Sequence, residues 1–323
     1  MPHINHYLTW VNATSSEAVR LRHRQIEPEH LLLGLIAQGG RAAAILGAHG
    51  VTLARARAAV DELADADLAR VGIRLPEGLR PEPLVAGDLI AGPGAGEIPV
   101  SRAATEALDT AGRGPAGDPG IRVLLALTAR TQSPAARLLT HCDVDVTAVR
   151  TQAEEARARP EPAPGRYRLT DEYASYGLDR ELSQERFVSV PAADLAALLS
   201  DPAGLTRWAV PREELVELRA DGAVQQAAGR CRTGRMRWRL EEAAPGRIVW
   251  SCTAASGPRD GEVCLVRDLA LTRAPGGTRV RLTLAHRTRG RFGPAVYWAS
   301  WRWIRLGAGQ TLTGIARAGA ELS

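Results

Sequence analysis

Residues 294–318 read PAVYWASWRWIRLGAGQTLTGIARA, and this stretch decides how the second half of the chain folds. Apolar residues recur at Tyr297, Trp301, Ile304, Ala308, Leu312 and Ile315, which is helical spacing. A helix of that length is a rod of about 37 Å at roughly 1.5 Å per residue. Upstream, runs with period-two alternation at about 214–220, 223–232, 235–242, 247–255, 262–273 and 278–288 predict six strands. The turns between them carry Asp221-Gly222, Gly234, Pro245-Gly246, Gly257-Pro258 and Pro275-Gly276-Gly277. A strand at 185–190, a helix at 191–199 and a short helical segment from Asp201-Pro202 toward Trp208 come before them. A long helix that follows such a meander can bury its apolar stripe only against the sheet.

The alternation also assigns faces. Met236, Trp238 and Leu240 alternate with Arg235, Arg237 and Arg239; Ile248, Trp250 and Cys252 share a side; Val280, Leu282, Leu284 and His286 share a side opposite Arg279, Arg281 and Arg287. The apolar faces are expected to meet the helix and the arginine faces to meet water. An interior built of Trp238, Trp250, Tyr297 and Trp301 is either a flat-walled apolar pocket or a filled core. His286 falls on the inward side, where a general base needs an orienting carboxylate. No fixed Asp–His spacing and no Ser–His pair is present, and Asp268 sits out of phase with Leu269 and Leu271.

Composition narrows the chemistry. A chain of 323 residues has room for two cores. It contains no lysine, so all 41 basic residues are arginine, which excludes a Schiff base and the lysine of a phosphate-binding P-loop. Residues 1–160 carry 17 Arg against 18 acids and residues 161–323 carry 24 against 18, a mild basic bias with no interleaved exposed aromatics. Nucleic acid is therefore not an expected partner. Cys142, Cys231, Cys252 and Cys264 form no metal-ligand spacing, so no metal or cofactor is expected and the thiols are expected to be reduced. No signal-like leader and no run of about 18 apolar residues is visible, which predicts a cytoplasmic chain without a transmembrane segment.

The first half repeats itself. Helices are expected over residues 4–20, from Pro28 through Leu35 to the stop at Gly39-Gly40, at 42–46, and from residue 53 to about 63. Arg122-Val123-Leu124-Leu125-Ala126-Leu127 then matches His30-Leu31-Leu32-Leu33-Gly34-Leu35 at an offset of 92. Ala135-Ala136-Arg137-Leu138-Leu139 matches Ala42-Ala43-Ala44-Ile45-Leu46, and Val144-Asp145-Val146 matches Val51-Thr52-Leu53, both at 93. This predicts two copies of a four-helix unit, with Ser101 capping the first helix of the second copy and a Pro/Gly-rich connector at about 72–97.

Arg22-His23, the run Pro28-Glu29-His30-Leu31-Leu32-Leu33-Gly34-Leu35 and the run Leu46-Gly47-Ala48-His49-Gly50-Val51-Thr52-Leu53 resemble the amino-terminal double repeat of Clp-type unfoldases. That family's pattern is a Gly-His pair, T-E-H-[IL]-L-L-G-L, and a helix before L-G-V-[DN]-L. The resemblance covers about residues 4–158 and implies a docking platform for adaptors, substrates and cyclic peptides. Some members bind phosphoarginine through the Glu of each T-E-H, which makes Glu29 and His30 the peptide-docking candidates. Pro28 replaces the Thr, and in the second copy Ile121 and Arg122 replace the Glu and His. Beside this stands a plainer reading, in which Glu29 complements a helix dipole and His23 and His30 are structural hydrogen-bonders. Gly92-Pro93-Gly94-Ala95-Gly96 is no Walker motif, because no Lys-Ser/Thr follows it.

The Pro-spaced segment RARPEPAPGRYR at 157–168 marks a linker. The expected division is a helical domain at 1–158, a linker and lead-in at 159–182, and a second domain at 183–323. Strand, two short helices, six strands and a long helix is the order of the SRPBCC or START-like helix-grip fold, on FVSVPAADLAALLSDPAGLTRW, GGTRVRLTLAHRT and the final helix. The likeness is to the polyketide cyclase/dehydrase and lipid-transport branch. The fold class is thus multidomain, an all-α duplicated four-helix domain followed by an α+β helix-grip domain. The resemblance favours the pocket and implies a small hydrophobic ligand, a lipid or polyketide-like molecule, with Trp238, Trp250, Leu282, Leu284, His286, Tyr297 and Trp301 as lining residues. No catalytic set is assigned. The preferred reading is a non-ATPase two-module binding protein, acting as carrier, sensor, adaptor or decoy, with Clp machinery, its clients or a cyclic peptide as partners of the first module. The alternative is an aromatase/cyclase-like or hydrolase-like enzyme on a polyketide-type substrate.

Overall fold

A computed structural model describes the chain except for residues 1, 75–97, 114–116, 160–170, 228–233, 257–259 and 288–292, and except for the side chains of 2–9 and 293–302. Among the described residues the first half is eight helices in two sets of four: α1 (Pro2–Arg20), α2 (Pro28–Gln38), α3 (Arg41–Ala48) and α4 (Leu53–Arg70), then α5 (Arg102–Arg113), α6 (Pro119–Leu127), α7 (Pro134–His141) and α8 (Val146–Ala158). The bounds of α3 and α7 reproduce the sequence offset. Equivalent caps recur as well: Thr52 Oγ1 accepts from the Arg55 N–H, and Asp145, at the matching position, accepts from the Thr147 N–H. These side chains satisfy N–H groups that a helix start leaves without partners. Ser101 caps α5 by accepting from the Ala104 N–H at 3.2 Å. The run expected to end near residue 63 continues to Arg70, because Ala64, Ala66 and Leu68 extend a strongly helix-forming sequence.

One hydrophobic core runs through both copies and contains Leu32, Leu33, Ile36, Leu46 and Leu53 of the first and Ile121, Leu124, Leu138 and Leu139 of the second. Gly34 lets α1 approach α2 closely, since a Cβ there would lie 2.3 Å from Thr14 Oγ1. The copies are also stitched by a short parallel bridge between Ile26 and Val100.

The second half is one seven-stranded antiparallel sheet ordered β1-β7-β6-β5-β4-β3-β2. Its strands are β1 (Arg180–Val188), β2 (Leu215–Arg219), β3 (Gly222–Ala227), β4 (Gly234–Ala244), β5 (Arg247–Ala254), β6 (Val263–Ala274) and β7 (Gly277–His286). Helix α10 (Ala192–Ser200) and the single turn α11 (Leu205–Trp208) lie between β1 and β2, and α12 (Gly293–Ala320) closes the chain of elements. Two sequence expectations shift here. The first strand starts at Arg180 instead of 185, because β1 pairs along its whole length with β7, from Arg180 opposite His286 to Val188 opposite Thr278. The lead-in, with its turn α9 (Asp171–Ala174), is part of the fold: Tyr173 and Leu178 pack with Val249, Val266 and Ala285 on the face of the sheet away from α12. That face is therefore only partly solvated, although Arg279 and Arg281 on it are exposed.

The halves meet closely. The Gly40 N–H donates to the Phe187 carbonyl at 2.8 Å, Arg186 Nη1 donates to the Gln38 carbonyl at 3.0 Å, and the Leu53 N–H donates to Ser189 Oγ at 3.2 Å. Gly47 abuts the β6–β7 turn, and a Cβ on it would lie 2.7 Å from the Pro275 carbonyl oxygen and 2.8 Å from Phe187 Cζ. Among the described residues no single helix is long and apolar enough to cross a membrane.

Candidate functional site

The face of the sheet toward α10, α11 and α12 is built in rows set by strand register. One row runs Ile248–Leu269–Leu282 and belongs to the same core as Leu312 and Ile315 of α12; all five are at most 2 % exposed. The next row runs Leu240–Trp250–Arg267–Leu284–Leu182. The row after it, Trp238–Cys252–Leu265–His286, lies toward the start of β4 and β6 and the end of β7. Packing changes along this series. Met236, Leu240, Leu265 and Ile304 are apolar side chains of the inner face that stay only half-buried.

Each sequence-derived candidate has a definite place. Trp250 is fully buried, and its indole N–H donates to the Leu199 carbonyl at 2.8 Å, so it locks α10 to the sheet. Leu282 is 0 % exposed and sits in the filled zone. Leu284 is buried one row further out, and Trp238 another, where its N–H donates to Gln225 Oε1 at 2.8 Å. His286 is half-buried at the end of that row, and burial lowers its pKa. The side chains of Tyr297 and Trp301 lie outside the described residues; Trp303, two positions on, is 73 % exposed.

Asp268 is on the opposite face. It is buried, accepts from the Tyr173 hydroxyl at 2.6 Å and from Arg247 Nη2 at 2.6 Å, and Arg247 also pairs with Glu172. Burial and the Asp268 carboxylate together raise the pKa of the Tyr173 phenol. The sheet separates this cluster from His286, so Asp268 does not orient that imidazole.

The residue that periodicity should have flagged is Arg267. It falls in phase with Leu265, Leu269 and Leu271, which places a cation on the apolar face of β6. Its guanidinium carbon lies 4.5 Å from the Trp238 ring centroid and 5.8 Å from that of Trp208, within cation–π range of both. Nη1 donates to the Ala209 carbonyl at 3.3 Å. Burial lowers its pKa to about 10, which leaves it charged at neutral pH.

In the helical half, His30 is fully buried at the start of α2. Its Nδ1 accepts from the Glu27 N–H at 2.8 Å, and its Nε2 lies 2.7 Å from His23 Nδ1. Burial and the second imidazole depress its pKa to about 4. Both ring nitrogens are thus engaged inside the fold. Glu29 is half-buried, its Oε2 is sealed without a hydrogen-bond partner among the described residues, and burial raises its pKa. Among the described residues no group of three or more His, Cys, Asp or Glu side chains is placed to hold a metal ion.

Two family models match the chain. Residues 9–74 match the Clp repeat (R) N-terminal domain, and residues 179–319 match the polyketide cyclase / dehydrase and lipid transport family. The chain thus carries a stretch similar to the Clp repeat domain in its helical half, followed by one similar to the polyketide cyclase / dehydrase and lipid transport (SRPBCC) family. No curated protein matches it. Among solved structures, TTHA0849 from Thermus thermophilus is 17% identical with a TM-score of 0.34, covering 44% of this chain and 99% of that one. Protein Ms6760 from Mycobacterium smegmatis is 13% identical with a TM-score of 0.32, covering 48% and 96%. The Aha1 dimer from Colwellia psychrerythraea, solved in solution, is 11% identical with a TM-score of 0.27, covering 39% and 89%.

Proposed function

We propose that this chain is a non-ATPase two-module binding protein. The helix-grip module holds a small hydrophobic molecule, a lipid or polyketide-like compound, between its sheet and α12, and the helical module docks a protein or peptide. The observation that carries the first part is the change in packing along the inner face. A filled zone around Leu269, Leu282 and Leu312 gives way to half-buried Met236, Leu240, Leu265 and Ile304. Apolar side chains left part-exposed on the inner face of the sheet present surface whose burial by a ligand is favourable, at about 25 cal/mol per Å2. Micromolar binding, about 8 kcal/mol, is within reach of such burial after association costs.

The docking part is supported by the similarity of residues 9–74 to the Clp repeat (R) N-terminal domain, with Glu29 the one family-matched carboxylate present. Calorimetry with phosphoarginine is expected to show at most one site per chain, since Ile121 stands at the equivalent place in the second copy. The absence of lysine supports the non-ATPase part.

The test of the ligand reading is native mass spectrometry of the full chain, followed by identification of extracted small molecules. A bound hydrophobic species is expected. If nothing co-purifies and a panel of fatty acids and aromatic polyketides leaves the Trp fluorescence unchanged, the reading fails.

A further inference from the structure

Two arginines drawn into the fold are paired with carboxylates. Arg57 meets Glu17 at 2.6 Å, and Arg247 meets Asp268 at 2.6 Å. Arg267, by contrast, forms no ion pair with any described carboxylate, and the one hydrogen bond it donates among the described residues goes to the Ala209 carbonyl at 3.3 Å. Its Nε is sealed from solvent and has no acceptor among the described residues. The indole N–H of Trp208, whose ring centroid is 5.8 Å from the Arg267 guanidinium carbon, is likewise buried without an acceptor among them. Two orphaned donors thus stand close together on the apolar inner face of the sheet. Arg267 as a whole is half-buried, but its sealed Nε is a donor left unmet, which is costly, and a cation held against apolar surface without a counter-charge adds to that cost.

Arg267 belongs to the row of Trp250, yet its guanidinium reaches across β5 to lie 4.5 Å from the ring centroid of Trp238, in the next row. That row and its flank hold the half-buried Leu265 and Met236. With Nη1 turned to Ala209, neither Nε nor Nη2 donates to a described residue. The edge these two atoms form matches the two oxygens of a carboxylate in bidentate geometry.

We propose that the ligand of the helix-grip module is an amphiphile with a carboxylate head, seated on the Nε–Nη2 edge of Arg267 with its apolar body over Leu265 and Met236. This rests on the hydrophobic-ligand reading above and adds the head group. A carboxylate monoanion matches the single charge that Arg267 supplies, whereas the dianion of a phosphate monoester would bring a second charge to be met. Arg267 then serves as the specificity determinant, and Trp238 and Trp208 hold its guanidinium in place.

The test uses the full chain and displacement of Nile red, a neutral probe, by dodecanoic acid, dodecanol and dodecyl phosphate. Nile red binding by the parent protein checks the underlying ligand reading; its failure, together with that of all three ligands, overturns both statements. With Nile red bound, the acid is expected to displace it at least about tenfold more tightly than the alcohol. In Arg267→Met that advantage is expected to vanish, and in Arg267→Lys, which keeps the charge but not the fork, to shrink. Equal binding of acid and alcohol by the parent, or an acid advantage that survives Arg267→Met and Arg267→Lys, overturns the head-group assignment and leaves the hydrophobic reading standing. Tighter binding of dodecyl phosphate than of the acid overturns the choice of carboxylate.

Discussion

Arg57 and Ser323, 266 positions apart in sequence, are joined by an Nη1–H···O hydrogen bond of 2.6 Å to the Ser323 backbone oxygen. The same guanidinium grips Glu17 through Nη2 and Nε at 2.6 and 2.9 Å. One side chain on α4 therefore holds α1 beneath it and the end of the helix-grip half beside it. Arg57→Ala would leave the Glu17 carboxylate buried and alone, and the expected loss of stability is about 3–5 kcal/mol. The double variant Arg57→Met, Glu17→Leu is expected to recover most of it. Urea unfolding of the three proteins checks this, and a single variant as stable as the parent would refute it.

Gly47 tests the seam between the modules. A valine there would drive its Cβ to 2.7 Å from the Pro275 carbonyl, a backbone atom that cannot swing aside. Protease cleavage between residues 158 and 171 is expected to give two fragments that co-elute from a sizing column in the parent and separate in Gly47→Val. Parent fragments that separate would show that the seam does not hold the modules together.

His30 makes stability fall in mild acid. Its folded pKa is about 4, below the ordinary 6.5, because burial and His23 disfavour the cation, and because Nδ1 must stay unprotonated to accept from Glu27. A depressed folded pKa means the contribution is complete above about pH 6.5 and is lost as pH drops toward 4, where the unfolded chain takes up the proton first. Across that window the loss is about 3 kcal/mol. An NMR titration of the imidazole is expected to show no midpoint above pH 5, and His30→Asn is expected to flatten the stability profile between pH 6.5 and 4. A midpoint near 6.5 would sink the argument.

Two tryptophan insertions separate the filled and open zones. Leu282→Trp enters a row with no exposed surface and is expected to cost about 1–3 kcal/mol by overpacking. Leu265→Trp replaces a half-buried side chain and is expected to leave the melting temperature nearly unchanged while blocking Nile red. Equal penalties at both positions would mean that the inner face is uniformly packed.

Much of this was legible in the sequence because it rests on local periodicity. The offset of α3 and α7, the strand phases of Met236–Trp238–Leu240 and Val280–Leu282–Leu284, and the Ser101 cap all follow from spacing of single residue types. The start of β1 was not legible, since Arg180–Gln184 shows no clean alternation and its strand state comes from pairing with β7, a hundred residues away. The role of the lead-in was hidden for the same reason, as Tyr173 finds Asp268 only in three dimensions. Arg267 carried a readable signal, an in-phase cation among leucines, but the rule that arginine faces water masked it. What fills the space beside α12 at Tyr297 and Trp301 lies outside the described residues, so their lining role stands as a proposal.

Helix α12 enters both cores: Ala308, Leu312 and Ile315 are packed under the sheet, while Ala320 belongs to the helical cluster with Leu32 and Leu124. A helix whose side chains complete two interiors cannot melt out of one without opening the other. The consequence is calorimetric. Heating should produce one endotherm with matching van't Hoff and calorimetric enthalpies, as though the fusion were a single cooperative domain.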